Sequence, residues 1–89
     1  RVVLAGITPA QAFVVRPADD LRPRIASVNR LLVQLARKER VTFVDYGPVL
    51  ANSDGGLQDA LGNDGLHPNR DGYAAMRPLA ERAIARAGR

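Results

Sequence analysis

The sequence predicts an α/β fold with a central parallel sheet, and three features of the chain lead to that prediction. Two short apolar runs, residues 2–7 and 41–45, have the length and composition of buried strands. Each run is followed, after a loop, by a longer segment whose apolar residues recur every three or four positions, as on one face of a helix. The order strand, loop, helix, strand, loop, helix is typical of parallel strands joined by right-handed crossovers.

The first strand and the first helix occupy the N-terminal part of the chain. The run VVLAGI at residues 2–7 is apolar without alternation, which favours a strand buried on both faces, and a Thr-Pro pair ends it. After a loop over residues 10–19, a helix is predicted over 20–38, because two aspartates suit its N-terminus and Pro23 is tolerable in its first turn. One apolar stripe of this helix is expected to be buried: Leu21, Ile25, Val28, Leu31, Leu32 and Leu35.

The second strand and the second helix follow in the same order. The run VTFVD at residues 41–45 predicts a strand, and a loop rich in Gly, Asp and Asn follows over 46–66, with one helical turn predicted at 57–61. A helix is then predicted over 70–87, with Pro78 expected to kink it or to leave one carbonyl unpaired. Its expected buried face consists of Tyr73, Met76, Leu79, Ala80, Ala83 and Ile84.

The number of predicted strands is too small for a closed domain. Two parallel strands buried on both faces cannot be covered by two helices, and both outer edges of such a sheet would be open. We therefore expect residues 1–89, which begin with Arg1 rather than Met, to be the C-terminal portion of a single larger domain. The N-terminal half of that domain would supply the missing strands; a second copy, associating through the open sheet edges, is the alternative.

Composition argues against several classes of function. The chain has no cysteine and one histidine, so neither a thiolate site nor a multi-histidine metal site is expected. No apolar run approaches the roughly 20 residues that span a bilayer. The net charge of +4 is the difference between 13 Lys and Arg and 9 Asp and Glu, the basic residues are scattered along the chain, and only two Tyr and two Phe accompany them. A nucleic-acid partner is not predicted, since such a surface needs clustered charge and stacking aromatics.

The stretch GNDGLHPN, residues 62–69, contains the strongest candidate for chemistry. A general base needs a partner that fixes its tautomer, and a carboxylate on the second ring nitrogen of a histidine supplies one. His67 follows Asp64 by three residues across an Asp-Gly turn, so the carboxylate can fold back onto the imidazole. Pro68 restricts the backbone at His67, and Asn69 is a predicted N-cap, so a rigid loop would present His67 at the start of a helix. The alternative is an ordinary turn that caps a helix, with His67 a solvated or hydrogen-bonded bystander.

The longer stretch DGLHPNRDGYAAM, residues 64–76, resembles the last conserved block of the SGNH (GDSL-type) esterase and lipase hydrolases. In that block Asp-x-x-His-Pro precedes a glycine-containing helix. The stretch VVLAGITPA at residues 2–10 is similar to the strand and loop that follow the family's third block, and residues 24–36 and 41–46 match the helix and strand between them. The resemblance covers nearly the whole chain and implies a three-layer α/β/α, flavodoxin-like fold, of which this chain is the C-terminal half.

The resemblance also implies a reaction. Members of this family hydrolyse carboxylic esters, such as lysophospholipids, other acyl esters and acetylated sugars, through an acyl-serine intermediate and without a cofactor or metal. His67 would be the general base that deprotonates the serine, and Asp64 would orient the imidazole and stabilise the imidazolium. The chain departs from the family because it has no Gly-Asp-Ser and no Gly-x-Asn-Asp motif, and its only serines are Ser27 and Ser53. The 89 residues alone are therefore expected to be inactive, with nucleophile and oxyanion hole supplied from upstream. The alternative is a non-catalytic or degenerate α/β module that kept the fold without the nucleophile.

Overall fold

The computed structural model describes residues 1–11 and 18–89 of the chain. In these residues a two-stranded sheet is combined with three α-helices and one 3₁₀ helix, in the order β1 (Val3–Ala5), α1 (Ala18–Glu39), β2 (Thr42–Val44), α2 (Gly47–Leu50), the 3₁₀ helix (Asp59–Leu61) and α3 (Arg70–Ala87). The strands are parallel, so the predicted α/β fold with a parallel sheet is confirmed. No helix in this part of the chain is long and apolar enough to cross a membrane.

The observed elements differ from the predicted ranges mainly at their ends. Both strands are shorter than predicted, and α1 begins two residues before the predicted range 20–38 and ends one residue after it. α3 spans the predicted range 70–87 and is continuous through Pro78, although proline cannot donate the helical hydrogen bond to the carbonyl of Ala74. Within the predicted loop 10–19, residues 12–17 lie outside the described residues.

The two strands pair in the register Val3↔Thr42, Leu4↔Phe43 and Ala5↔Val44. The ladder extends past β1, where the N–H of Gly6 donates to the carbonyl of Val44 at 3.0 Å. It also extends before β1, where the N–H of Thr42 donates to the carbonyl of Val2 at 3.3 Å. Because the strands are parallel, the segments that follow them start at the same edge of the sheet, where ligand sites of open α/β folds are found.

α1 packs one side of its apolar stripe against the rest of the chain and leaves the other side exposed. Leu21 and Ala36 are buried, and Ile25 and Leu32 are half-buried. The predicted burial of the whole stripe is wrong for three of its members, which are exposed: Val28, Leu31 and Leu35. The reason is geometric, because two strands about 4.8 Å apart form a sheet narrower than a helix of roughly 10 Å diameter.

α3 shows the same division into a packed and an exposed side. Gly72 and Ala83 are buried where this helix approaches its neighbours. Tyr73 and Ile84, expected in the core from their spacing, are 58% and 64% exposed, so that expectation is wrong for both side chains. Periodicity identifies the residues able to face a core, but two strands do not provide enough core to cover all of them.

A small second core lies under the segment that follows β2. The most deeply buried large side chains of the described residues are Leu50 and Leu57, at the end of α2 and after the next turn. An antiparallel bridge between Ala51 and Leu57 closes that turn, and the side chain of Asn52 caps it by accepting the N–H groups of residues 54 and 56. α2 lies in the predicted loop 46–66 and is missing from the prediction, because four residues are too few to show helical periodicity.

Candidate active site

The loop that carries His67 is closed on itself just before α3. Gly62 and Pro68 form an antiparallel bridge at its two ends. Gly65 has a φ of 75°, a left-handed conformation that glycine adopts without strain, and this residue turns the chain between Asp64 and His67. A side chain at residue 62 would collide with Leu57, so the base of the loop rests directly on the second core. The sequence Gly-Asn-Asp-Gly thus makes a compact loop of fixed shape.

The carboxylate of Asp64 holds both the backbone and the ring of His67. Oδ1 accepts the backbone N–H of Leu66 at 2.9 Å and that of His67 at 2.7 Å, as in an Asx turn. Oδ2 lies 2.6 Å from Nδ1 of His67. Because an ionised carboxylate can only accept hydrogen bonds, the proton is bound to Nδ1, and Nδ1–H donates a hydrogen bond to Oδ2 of Asp64. Nε2 is then the nitrogen with the free lone pair.

The electrostatics of the pair fix the charge of Asp64. The hydrogen bond from the His67 ring, followed by those from the backbone N–H groups of His67 and Leu66, lowers the pKa of Asp64 well below its usual range. The side chains of His67 and Asp64 are 73% and 54% exposed. An exposed pair of this kind contributes little to stability because water screens it, so its main physical effect is to orient the imidazole.

Asn69 joins this loop to the helix that follows it. Its Oδ1 accepts the N–H of Gly72 at 2.9 Å, so it is the N-cap of α3, as predicted. Its Nδ2 donates to the carbonyl of Ala60 at 3.1 Å and to Oδ1 of Asn63 at 3.3 Å. Its backbone N–H donates to the carbonyl of Leu61 at 2.8 Å. One residue therefore fixes both the start of α3 and the segment that leads into the Asp64 turn.

Gln11 connects the segment after β1 to the His67 loop and was missed by the sequence analysis. Its backbone N–H donates to the carbonyl of Gly65 at 2.6 Å, and its Nε2 donates to the carbonyl of Leu57 at 3.0 Å. Its side-chain amide packs so closely on Gly56 that a Cβ at residue 56 would overlap it. Gln11 and Leu57 are 46 residues apart, so no local pattern links them, although the Gly55-Gly56 pair is a sign of close backbone approach.

Asn29 fixes the chain where it leaves β1. Its Oδ1 accepts the N–H of Ile7 at 2.7 Å, and its Nδ2 donates to the carbonyl of the same residue at 3.0 Å. This two-point contact between α1 and the strand end sets the direction in which the chain continues toward Gln11. An asparagine inside a predicted helix carries no local signal for this function.

An open cleft of about 550 Å³ lies at the same edge of the sheet, between α1 and the segment after β2. Its lining includes Ile7, Pro9, Arg22, Asn29, Asp45 and Gly55. His67 and Asp64 are not among the lining residues, so the cleft and the His-Asp pair are separate features of this edge.

The two serines do not complete a catalytic group with His67. Ser27 is exposed on α1, where its Oγ accepts a hydrogen bond from Arg30 at 3.1 Å, and Ser53 is exposed in the turn after α2. In the described ranges neither serine hydrogen-bonds to His67. In the same ranges no three His, Asp or Glu side chains come together in a group able to hold a metal ion.

Comparison with known proteins identifies the family of the chain. Residues 1–75 match the family model of the GDSL-like lipase/acylhydrolase family. The fold is similar to that of a protein assigned as an acylhydrolase from Bacteroides fragilis NCTC 9343, with a TM-score of 0.86 and 35% identity, over 100% of this chain and 44% of that one. It is also similar to a GDSL-like lipase from Bacteroides thetaiotaomicron VPI-5482, with a TM-score of 0.84 and 30% identity, over 98% of this chain and 43% of that one.

The same comparisons show how much of each known protein this chain covers. No curated protein matches the chain. The chain spans less than half the length of the two solved structures, and its α/β architecture with a parallel sheet is the architecture of the part it matches. The chain belongs to the GDSL-like lipase/acylhydrolase family.

Proposed function

We propose that this chain supplies the histidine and aspartate of a carboxylic ester hydrolase that works through an acyl-serine intermediate. The observation that carries the proposal is the contact of 2.6 Å between Nδ1 of His67 and Oδ2 of Asp64, which leaves Nε2 free on an exposed side chain. A histidine held in one tautomer by a carboxylate is the arrangement that general-base activation of a hydroxyl requires. Family membership supports the same reaction class.

In the proposed reaction Nε2 of His67 takes and gives the proton, while Nδ1 stays hydrogen-bonded to Asp64. Nε2 takes the proton from the serine hydroxyl as its oxygen attacks the ester carbonyl, and the imidazolium then donates that proton to the departing alcohol. Water attacks the acyl-serine in the same way, with His67 again as base and then as acid, which releases the carboxylic acid. Asp64 stays ionised throughout, because its lowered pKa favours the carboxylate that stabilises the imidazolium.

The nucleophile is proposed to come from a longer protein. Ser27 and Ser53 are the only serines of the 89 residues, and neither has a hydrogen bond to His67 in the described part of the chain. The two solved structures that the chain matches are more than twice its length. We therefore propose that the remainder of the domain carries the serine and the oxyanion-hole donors, and that residues 1–89 alone are inactive.

The test is ester hydrolysis by the full-length protein, together with labelling by a fluorophosphonate, which reacts with activated serines. His67→Ala is expected to lower hydrolysis by roughly 10²–10⁴-fold, the contribution of a general base, and to suppress labelling. Asp64→Asn is expected to cost up to about 10⁴-fold, because the amide oxygen stays on the backbone N–H groups of Leu66 and His67 and the NH₂ group that then faces Nδ1 favours the wrong tautomer. Asp71→Asn, the same change at an exposed carboxylate in the first turn of α3, is the matched control. Near wild-type hydrolysis with His67→Ala would falsify the proposal.

The second candidate is a non-catalytic α/β module that keeps the fold, and the missing contact between either serine and His67 favours it. The same labelling experiment separates the two functions. A full-length protein that has no ester hydrolysis and no reactive serine would be such a module, with the Asp64 turn serving only to start α3.

A further inference from the structure

The segment that follows β1, residues 7–11, is attached by hydrogen bonds at its two ends. At its start, Ile7 is bonded through both of its backbone groups to the side chain of Asn29 in α1. At its end, Gln11 donates to the carbonyls of Gly65 and Leu57. Among the described residues, no backbone hydrogen bond is made by residues 8–10. The course of this linking segment, residues 7–11, is therefore set by what holds its first and last residues.

The side chain of Asn29 is suited to hold the first of these residues. A carboxamide has both a donor and an acceptor, so one side chain satisfies the N–H and the C=O of Ile7 at once. Asn29 is half-buried, and its close approach needs the glycine that precedes Ile7, because a Cβ at Gly6 would lie 3.1 Å from Oδ1 of Asn29. Asn29→Ala removes both hydrogen bonds and leaves the end of β1 without its attachment to α1.

Little packing replaces these two hydrogen bonds. The open cleft of about 550 Å³ borders the linking segment, and Ile7 and Pro9 are among its lining residues. The side chain of Ile7 is 46% exposed. A side of the chain that borders an open cleft is not supported by close-packed neighbours, so the position of Ile7 depends strongly on Asn29.

The linking segment is short and stiff, so a displacement of Ile7 reaches Gln11. Only residues 8–10 lie between them, and Pro9 fixes its own φ at about −65°. Pro9 and Ala10 are buried, and close-packed residues transmit a displacement rather than absorb it. The contact with α1 at one end of the segment is therefore coupled to the contacts of Gln11 at the other end.

The last residue of the segment acts directly on the His67 loop. The N–H of Gln11 donates to the carbonyl of Gly65, which lies between Asp64 and His67, at 2.6 Å. The contact of Asp64 with His67 is internal to the loop and orients the imidazole relative to that loop only. The position of the loop relative to the sheet depends on contacts such as those of Gln11. A displaced linking segment thus moves the pair as a unit without breaking it.

We propose that Asn29 is a positioning residue for His67 and acts through the linking segment. Asn29 forms no hydrogen bond with His67 or Asp64 in the described part of the chain, so its effect is carried by Ile7 and Gln11. Misplacement of a catalytic group by about 1 Å can cost about 10²-fold in rate. This inference rests on the proposed function, in which Nε2 of His67 must reach a serine hydroxyl.

Hydrogen exchange of the Gln11 amide, followed by NMR in the full-length protein, tests the coupling without the need for activity. In Asn29→Ala this amide is expected to exchange at least about 10-fold faster, because its segment has lost one attachment. α1 itself keeps its helix, since alanine has a higher helix propensity than asparagine. The amide of Ala83, buried in α3, is the internal control and is expected to keep its rate. Gln34→Ala, which removes an exposed carboxamide from the same helix, is the matched control variant.

Two results of this experiment would overturn the inference. One is an unchanged exchange rate of the Gln11 amide in Asn29→Ala. The other is equal acceleration at Gln11 and Ala83, which would show that Asn29 only stabilises the fold as a whole.

Kinetics of ester hydrolysis by the full-length protein test the effect on His67. Asn29→Ala is expected to lower kcat by about 10–10²-fold with little change in KM, because the pair is misplaced while substrate binding is kept. Gln34→Ala is expected to leave both constants unchanged. A raised KM with unchanged kcat would show that Asn29 contributes to binding from the cleft, and it would overturn the proposed role.

A double-mutant cycle tests whether Asn29 acts through Gln11. Because both residues hold the same segment, the variant with Asn29→Ala and Gln11→Ala together is expected to lose no more kcat than the more damaging single change. A loss equal to the product of the two single losses would show independent action and contradict the inference. A wild-type protein without ester hydrolysis would refute the proposed function, whereas faster exchange at Gln11 in Asn29→Ala would still support the link from α1 to the His67 loop.

Discussion

Substitution of Gly72 by alanine tests how closely α3 must approach the His67 loop. Gly72 is buried in the first turn of α3. A Cβ at this residue would overlap the carbonyl oxygen of Leu61 and lie 2.9 Å from Cβ of Pro68, the residue directly after His67. The Leu61 carbonyl cannot move freely, because it also accepts the N–H of Asn69 at 2.8 Å. The added methyl group therefore displaces either the helix or the loop that presents the imidazole.

The expected sign of this change is opposite to that of an ordinary helical Gly→Ala substitution. In an open helix the replacement stabilises by about 1 kcal/mol at most, through helix propensity. Here overpacking costs about 1–3 kcal/mol. Displacement of Leu61 also weakens a hydrogen bond of about 0.5–1.5 kcal/mol. The costs exceed the gain, and we expect a net loss of about 1–3 kcal/mol in the free energy of unfolding.

Urea denaturation followed by circular dichroism measures this loss. Gly88→Ala at the other end of the same helix is the matched control, because a Cβ there would meet its nearest neighbours, backbone oxygens of residues 84 and 85, at 3.6 Å. That contact is ordinary, so the control is expected to stay within about 0.5 kcal/mol of wild type. If Gly72→Ala is as stable as wild type or more stable, the close approach of α3 to the loop is not what holds residues 61–68 in place.

Three further predictions concern the supports of the His67 loop. Asn69→Ala should cost about 1–2 kcal/mol of unfolding free energy, and Asn69→Asp less, since it keeps the acceptor for the Gly72 N–H; equal losses in urea denaturation would contradict the cap. Asp64 should stay ionised below about pH 3.9, where an unperturbed aspartate titrates. Because its folded pKa is lowered, its stabilising contribution is present above the unfolded pKa and is lost only as the pH falls through the folded value; a carboxyl ¹³C titration midpoint near 4 would disprove this. Gln11→Ala should lower kcat by up to about 10²-fold in the full-length protein, and Gln11→Glu should not restore it, because a carboxylate cannot donate to the Leu57 carbonyl; an unchanged kcat would show that the loop needs no such support.

The parts of the site that the sequence predicts are those built from neighbours in the chain. The Asp64 turn, the position of His67 and the cap at Asn69 depend on contacts three residues apart or closer, and each has a residue type specialised for it. α3 was predictable for the same reason, since its start is set by its cap and its length by periodicity. Local chemistry therefore sufficed to predict the loop and the helix behind it.

The parts that the sequence does not predict depend on contacts far apart in the chain. Gln11 bonds to Leu57 across 46 residues, and nothing in the stretch around Gln11 indicates that partner. The exposure of Leu31 and Tyr73 was also unpredictable, because periodicity gives the apolar side of a helix but not the width of the sheet available to cover it. Short helices such as α2 are not predicted for a third reason: four residues make up little more than one turn, which is too short to show a helical repeat of apolar residues.

The division between local and distant contacts also describes how the proposed site would be assembled. The Asp64–His67 pair needs no residue outside a stretch of four, so its geometry is set as soon as the Gly65 turn forms. Placement of that pair relative to a serine is different, because it depends on how the two strands continue into the rest of a sheet. Catalytic groups must be held within about 0.5 Å of their productive positions, which a flexible tether cannot achieve. On the proposed function, the way in which the sheet continues from these two strands therefore sets the distance from Nε2 of His67 to the hydroxyl. A substitution that disturbs this continuation of the sheet should lower kcat while leaving the contact between Nδ1 of His67 and Asp64 intact.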